Sequence, residues 1–215
     1  AYYLRGNLYY DMGEEKKALA DYEEAVKQDK KDYELYIGIY ESMKKHGAKE
    51  NGQKYLNQAM EIKGEKAEDL LYKGQISYLL GDYKTAVTDL TKAKEDGQQK
   101  ASYYLGLTYE AQGDTDKAQS YVKEYLDSGV ATSYELYDLG SSELDDGDYE
   151  EALTFFNAGL ALEKVPNKQN LMKSAIAAYE YSGDFDSAKT MLKDYLEEYP
   201  SDEDAQKEST FLETR

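Results

Sequence analysis

Small and apolar residues recur along the chain at the three- and four-residue spacing of amphipathic helices. In one segment these positions are Leu70, Leu71, Gly74 and Tyr78, followed by Gly81. The spacing places them on one face of a helix. A glycine just beyond a helix can adopt the left-handed conformation that closes the last turn. The pattern therefore predicts a helix that ends before Gly81 and a turn into a second helix.

The same pattern occurs six times, at intervals of 34, 34, 32, 34 and 36 residues. The glycines that mark it are Gly13, Gly47, Gly81, Gly113, Gly147 and Gly183. Most are followed by an acidic residue and, five positions on, by a small one, as in Gly81, Asp82 and Ala86. Acidic residues placed to cap the second helix are Asp82, Asp114, Asp148 and Asp184. Asp148 also has Glu151 at capping-box spacing.

Four units carry a further glycine seven residues before the turn, inside the first helix. These are Gly6, Gly74, Gly106 and Gly140. A glycine inside a helix costs about 1 kcal/mol relative to Ala, so we expect the paired helix to approach closely there. The expected small partners on the second helices are Ala18, Ala86, Ala118, Ala152 and Ala188.

The second unit departs most from this pattern. Tyr40 stands in place of the interior glycine, Gly52 in place of the alanine, and Ala48 in place of the capping acid. We expect looser helix packing in this unit. The longer final interval places an extended loop at Glu163–Lys168.

A period near 34 with these markers resembles the tetratricopeptide repeat, a helix–turn–helix unit. The resemblance covers nearly the whole chain. It implies an all-α fold, a right-handed α-solenoid of antiparallel helix pairs with about 13 helices. We expect one domain over residues 1–215, with repeats at 1–32, 33–66, 67–98, 99–132, 133–168 and 169–200. Pro200 ends the last repeat helix, and Ser201 is placed to start a capping helix over 201–215.

Composition argues against catalysis. There is no Cys and one His, His46, beside the turn residue Gly47, which indicates a surface position rather than a catalytic base. The acidic cluster around Asp146 does not have the register of a calcium loop. We therefore predict a protein that is not an enzyme and has no metal or cofactor.

The charge is also informative: 26 basic against 44 acidic residues give a net charge of −18. This balance argues against a nucleic-acid partner, because neutralising phosphates requires clustered cations. No apolar stretch approaches the roughly 18 residues of a membrane span.

The resemblance implies that the first helices line a concave groove that binds a protein partner. We expect an extended peptide or a partner helix, basic or aromatic-containing, and a monomeric protein. Counted along each first helix, the expected groove residues are Tyr3, Asn7, Tyr10, Ile37, Glu41, Leu71, Gln75, Tyr78, Tyr103, Leu107, Glu110, Tyr137, Ser141, Lys173 and Tyr181.

The 24 tyrosines support this expectation, because Tyr gives a large rigid contact area with a polar end. Ten of them occupy expected core positions: Tyr2, Tyr9, Tyr22, Tyr36, Tyr83, Tyr109, Tyr125, Tyr149, Tyr179 and Tyr195. The others, including Tyr72, Tyr104 and Tyr134, require a surface role.

Three classes of function stay open. The first is a protein-interaction scaffold; the second is a carbohydrate or small-ligand recognition module of a bacterial cell-envelope protein; the third is the scaffold segment of an enzyme system. Basic residues are almost all Lys, which is typical of an AT-rich bacterial genome. The chain resembles repeat regions of bacterial envelope lipoproteins, with the anchor expected before Ala1. An anchored extracytoplasmic location is favoured over the cytoplasm.

Overall fold

In a computed structural model that describes residues 1–214, the chain forms thirteen α-helices and no strand. In chain order they are α1 (Tyr2–Asp11), α2 (Glu15–Gln28), α3 (Tyr33–Lys45), α4 (Lys49–Met60), α5 (Ala67–Leu80), α6 (Tyr83–Glu95), α7 (Lys100–Ala111), α8 (Thr115–Asp127), α9 (Ser133–Asp146), α10 (Tyr149–Leu160), α11 (Lys168–Ser182), α12 (Phe185–Glu198) and α13 (Glu203–Leu212). The first twelve pack as six consecutive pairs. The expected all-α helical repeat fold is confirmed.

The chain divides into two compact units. The first, Ala1–Gly129, contains the four pairs from α1 to α8. The second, Val130–Arg215, contains two pairs and α13, with Arg215 outside the described residues. The prediction of one solenoid domain stays a prediction.

The six turn glycines behave as the sequence predicted. Each has a positive φ, between 74° at Gly13 and 90° at Gly147. At Gly81 the turn is closed by two backbone bonds, in which Gly81 N donates to Tyr78 O and Asp82 N to Ser77 O, both at 2.9 Å. Gly97 and Gly129, which follow second helices, also have positive φ. The spacing of about 34 residues does not indicate these two turns.

The predicted caps are correct in three of four cases. Asp82, Asp114 and Asp184 each accept a hydrogen bond from the backbone N–H three residues on. Asp148 occupies the N-cap position of α10, but its side chain makes no capping bond. The start of α13 was wrong by one residue, because Asp202 and not Ser201 is its N-cap.

The interior glycines do allow close approach, although the partner differs from the one expected. A Cβ on Gly140 would lie 2.5 Å from Cε1 of Phe156, and one on Gly6 would lie 2.5 Å from Cε1 of Tyr22. These rings stand four residues after the expected small partners. Ala18 contributes its carbonyl oxygen, 3.3 Å from the same position at Gly6. The glycine therefore makes room for a large side chain of the second helix.

The expectation of looser packing in the second unit was wrong. Tyr40 is 1% exposed and Met43 is fully buried. A Cβ on Gly52 would lie 3.1 Å from Cδ2 of Tyr40 and 3.3 Å from Cβ of Met43. In the four units with an interior glycine, that glycine lies on the first helix and the large side chain on the second. Here the large side chain lies on the first helix and the glycine on the second, so the pair stays tightly packed.

The predicted loop between α10 and α11 is present and is fixed by its last residue. Lys168 already belongs to α11. Asn167 is buried, and its Nδ2 donates to the Ser133 carbonyl oxygen at 3.0 Å. The loop is therefore held against the start of α9.

Candidate functional site

The fifteen expected groove residues lie on first helices but differ in exposure. Four are buried: Tyr10, Ile37, Leu71 and Tyr103. Glu110, Lys173 and Tyr181 are exposed. The remaining eight are partly buried: Tyr3, Asn7, Glu41, Gln75, Tyr78, Leu107, Tyr137 and Ser141. The buried four can offer a partner little surface, so contact depends on the other eleven.

Between α1 and α3 the expected residues are already engaged within the protein. The Tyr22 hydroxyl donates to Asn7 Oδ1 at 2.7 Å and lies 2.8 Å from Ser42 Oγ. Burial raises the pKa of Tyr22 to about 12. Tyr3 lies over Gly38, since a Cβ there would be 2.6 Å from its hydroxyl. The expected groove residues on α1 are therefore held in place by contacts within the protein.

His46 also belongs to this region. Its ring lies 5.0 Å from that of Tyr10, Nδ1 is 2.7 Å from the Ser42 carbonyl oxygen, and Nε2 is 3.1 Å from Asp11 Oδ1. The side chain is 23% exposed, so it lies deeper than a surface turn position implies. It joins the end of α1 to the end of α3.

Between α3 and α5 the contact is made by a tyrosine and a carboxylate. Tyr72 stacks on Tyr33 with centroids 5.3 Å apart and planes at 11°. Its hydroxyl donates to Glu34 Oε1 at 2.8 Å. Burial and the Glu34 carboxylate raise the pKa of Tyr72 well above its ordinary value. Tyr72 therefore stays a neutral donor near a negative charge.

Between α5 and α7 the pattern continues with Tyr104. Burial raises the pKa of Tyr104, and the nearby Tyr72 and Glu41 act in the same direction. The Gln75 amide near the Tyr104 hydroxyl acts on this pKa in the opposite direction. Tyr103 packs beneath, with ring centroids 5.3 Å from Tyr104. Tyr104 thus packs on Tyr103 and stays partly exposed on α7.

These contacts define a continuous surface on three successive first helices. We call it the α3–α5–α7 patch; its residues are Glu34, Glu41, Tyr72, Gln75 and Tyr104. The Glu41 side chain is 44% exposed, and its ion pair with Lys44 is long, at 3.6 Å. Fixed aromatic rings beside exposed carboxylates suit a cation, through ion pairing and through the ring faces. The sequence predicted Glu41 and Gln75 as groove residues and gave Tyr72 and Tyr104 a surface role, but it did not indicate Glu34.

In the second unit the expected residues are more separate. Tyr137 leans on Phe156, with ring centroids 6.3 Å apart, and the exposed Tyr181 lies 5.7 Å from Tyr149. Lys173 Nζ is 2.6 Å from Asp202 Oδ2. Lys173 is therefore occupied by an internal ion pair.

The tyrosine distribution differs from the sequence assignment. Of the ten expected core tyrosines, only four are buried: Tyr22, Tyr36, Tyr125 and Tyr195. Five others are also buried: Tyr10, Tyr33, Tyr40, Tyr55 and Tyr103. Tyr134 and Tyr181 are exposed, at 56% and 66%. The number of buried tyrosines, nine, is close to the ten expected, but only four of the positions coincide.

Two further properties of residues 1–214 concern metal binding and membranes. No group of three or more His, Cys, Asp or Glu side chains there is placed to hold a metal ion. None of the helices in this range combines the length and apolar character needed to cross a membrane.

Comparison with protein families gives a consistent result. Models described as tetratricopeptide repeat match residues 1–32, 103–167 and 143–207. Together these ranges take in more than half of the chain. No curated protein matches the sequence.

Several solved structures are similar. Pseudomonas aeruginosa PilF matches at 15% identity over 97% of this chain and 95% of that chain, with a TM-score of 0.45. PilW, described as a type IV pilus biogenesis factor, matches at 18% identity over 94% of each chain, with a TM-score of 0.47. YrrB, described as a TPR protein with an unusual peptide-binding site, matches at 19% identity over 88% of this chain and 97% of that chain, with a TM-score of 0.38.

Proposed function

The chain belongs to the tetratricopeptide repeat family, and on this premise we propose that it is a non-catalytic scaffold that binds a basic peptide or partner helix. Members of this family generally mediate protein–protein interaction, and solenoid repeats provide surface rather than chemistry. The proposed contact is the α3–α5–α7 patch, extended by Tyr3, Asn7, Tyr78 and Leu107.

The proposal rests on one observation: contacts within the protein itself already fix the side chains of the α3–α5–α7 patch. Tyr72 is fixed by Tyr33 and Glu34, and Tyr104 packs on the buried Tyr103. A pre-ordered surface loses little side-chain entropy on binding. Tyr is enriched at interface cores for this reason and because its hydroxyl can still form hydrogen bonds.

The charge favours a basic partner. Glu34 and Glu41 lie on the patch, and the whole chain carries a net charge of −18. The electrostatic field of this negative charge speeds association with cationic segments and repels acidic ones. An extended peptide with Lys or Arg between apolar residues would place its cations on the two carboxylates and its apolar groups on the rings.

The test is a titration of the ¹⁵N-labelled 215-residue chain with two synthetic pools of extended peptides. One pool alternates Lys with apolar residues, and the matched pool has Glu in place of Lys. We expect saturable amide shifts for the basic pool, centred on Tyr72, Gln75 and Tyr104, and weaker binding as salt increases. Shifts centred on second helices, or equal binding of both pools, would overturn the proposal.

The same titration with soluble oligosaccharides addresses the alternative of a carbohydrate or small-ligand recognition module. Saturable shifts with oligosaccharides and none with peptides would replace the scaffold by that alternative. The location at a bacterial envelope, which the resemblance to repeat regions of envelope lipoproteins implies, stays a prediction.

A further inference from the structure

A small cleft opens in the second unit between α11, α12 and α13, with a volume of about 250 Å³. Its lining residues are Lys173, Ile176, Ala177, Glu180, Leu192, Tyr195, Asp204, Ala205 and Glu208. The volume is below the roughly 300–1,000 Å³ of pockets that hold drug-sized ligands. The cleft therefore fits one side chain or a comparably small group.

The inner wall of the cleft is apolar. Ile176, Leu192 and Ala205 are almost fully buried, at 6%, 3% and 8% exposure. Apolar atoms account for most of the accessible lining. A short hydrocarbon stem entering the cleft would therefore leave water for an apolar contact, worth about 0.8 kcal/mol per methylene group.

Two carboxylates line the cleft and lie close to each other. Glu180 comes from α11 and Glu208 from α13. Within residues 1–214, Glu180 Oε1 is buried and has no hydrogen-bond partner. Burial and the charge of Glu208 raise the pKa of Glu180. The protein thus keeps a carboxylate where its charge is poorly compensated.

The cation that lines the cleft is already paired within the protein. Lys173 is the one cation among the residues that line the cleft, and its Nζ lies 2.6 Å from Asp202 Oδ2. Asp204, at the rim, pairs with Lys207 at 3.0 Å. The internal ion pairs therefore leave the Glu180–Glu208 pair without a cation from the lining.

We propose that the cleft binds an ammonium or guanidinium group on a short apolar stem, as in a lysine or arginine side chain of a partner. The stem packs on Ile176 and Leu192, and the cation lies between Glu180 and Glu208. Buried carboxylates and cations form strong charge-assisted hydrogen bonds when both are satisfied. This inference does not rest on the proposed function, whose test uses residues of the first unit.

The probe is N-acetyl-lysine N-methylamide, compared with the norleucine compound of the same shape without the charge. We expect saturable shifts of the Ile176, Ala177 and Ala205 methyl signals with the lysine compound. The norleucine compound should bind at least about ten-fold more weakly, because an unpaired carboxylate is left buried. Equal binding of the two compounds, or no saturable shift with lysine, would overturn the proposal.

Butylammonium, added in a third titration, separates a free amine from a peptide. Binding as tight as that of the lysine compound assigns recognition to the stem and the ammonium group. Weaker but saturable binding assigns part of it to the peptide backbone. Both results support a cation site, whereas binding of lysine that butylammonium does not compete with contradicts it.

Two isosteric variants locate the cation. Glu180→Gln and Glu208→Gln should each weaken lysine binding by about five-fold or more, since a charged hydrogen bond becomes neutral. Glu197→Gln, on the exposed side of α12, is the matched control and should bind as the parent does. Circular dichroism establishes that the variants are folded. Unchanged binding in both folded variants would contradict the assignment.

Discussion

The hydroxyl of Tyr195 donates a hydrogen bond to Asp202 Oδ2 at 2.6 Å. Tyr195 is fully buried on α12, and Asp202 caps α13, accepting from Ala205 N at 3.1 Å. Lys173 on α11 pairs with the same carboxylate. One carboxylate thus holds the first turn of α13 to both helices of the last repeat.

Removing the Tyr195 hydroxyl should loosen this connection. Tyr195→Phe keeps the ring but loses bonds to Asp202 and to Gln169 Nε2, so we expect the free energy of unfolding to fall by about 1 kcal/mol. Urea denaturation followed by circular dichroism measures the change. Tyr199→Phe removes a longer bond of 3.2 Å to Glu198 and should have little effect. An equal loss in both variants would show that the Tyr195 hydroxyl has no special role.

Asp202 should make the protein sensitive to acid. Lys173, Tyr195 and the Ala205 N–H hold its pKa well below the ordinary value of 3.8. Because the folded-state pKa is lowered, the stabilisation is present above pH 3.8 and is lost as the pH falls towards the folded-state pKa. The stability difference between the parent and Asp202→Asn should therefore be largest near neutral pH and shrink in acid. A difference that does not change with pH would contradict the ion pair.

Glu180 should have the opposite effect. Its pKa is raised above the ordinary value of 4.5, so the folded state holds the proton more tightly than the unfolded state. Ionised Glu180 then opposes folding at neutral pH, and this penalty disappears as the pH falls towards 4.5. Glu180→Gln should melt at a higher temperature than the parent at pH 7, with a smaller difference in acid. A lower melting temperature at pH 7 would show that the carboxylate is well satisfied.

Two tyrosines in the first unit provide a matched pair. Tyr22 and Tyr55 are both buried and meet edge to face at 6.4 Å. The Tyr22 hydroxyl contacts Asn7 and Ser42, whereas among the described residues no group pairs with the Tyr55 hydroxyl. Tyr22→Phe should therefore cost about 1 kcal/mol or more, and Tyr55→Phe should be neutral or stabilising. Thermal melts of both variants check this, and equal destabilisation would contradict it.

The close approach at Gly140 gives a steric prediction. A Cβ there would lie 2.5 Å from Cε1 of Phe156, whose ring is fully buried. Gly140→Ala should lower the free energy of unfolding by about 2 kcal/mol despite the better helix propensity of Ala. Adding Phe156→Leu should restore part of the loss. If Gly140→Ala is as stable as the parent, α9 and α10 can move apart at little cost in free energy.

Sequence spacing predicted the helices well because each turn depends on a local requirement. A glycine with positive φ, such as Gly81, can be recognised without knowing its neighbours in space. The compensation between Tyr40 and Gly52 could not be recognised in this way, because it depends on two residues on different helices. Each looked like a defect when considered alone.

The candidate site shows the same limit. Helical counting placed both Tyr103 and Gln75 on first helices, as the structure has them. It could not show that Tyr103 lies beneath Tyr104, with 6% exposure, while Gln75 stays accessible. How deeply a side chain is buried depends on the neighbouring repeat. Glu34 belongs to the patch only because Tyr72 of the next repeat packs beside it and donates a hydrogen bond to it.

The most direct test of the scaffold function compares two double variants with the same change in charge. Glu34→Gln with Glu41→Gln alters the α3–α5–α7 patch, and Glu50→Gln with Glu95→Gln alters exposed positions on second helices. We predict that calorimetric titration with the basic peptide pool shows binding at least about five-fold weaker for the first variant and unchanged for the second. Equally weak binding by both double variants would show that net charge alone is responsible, and it would contradict a binding site on the first helices.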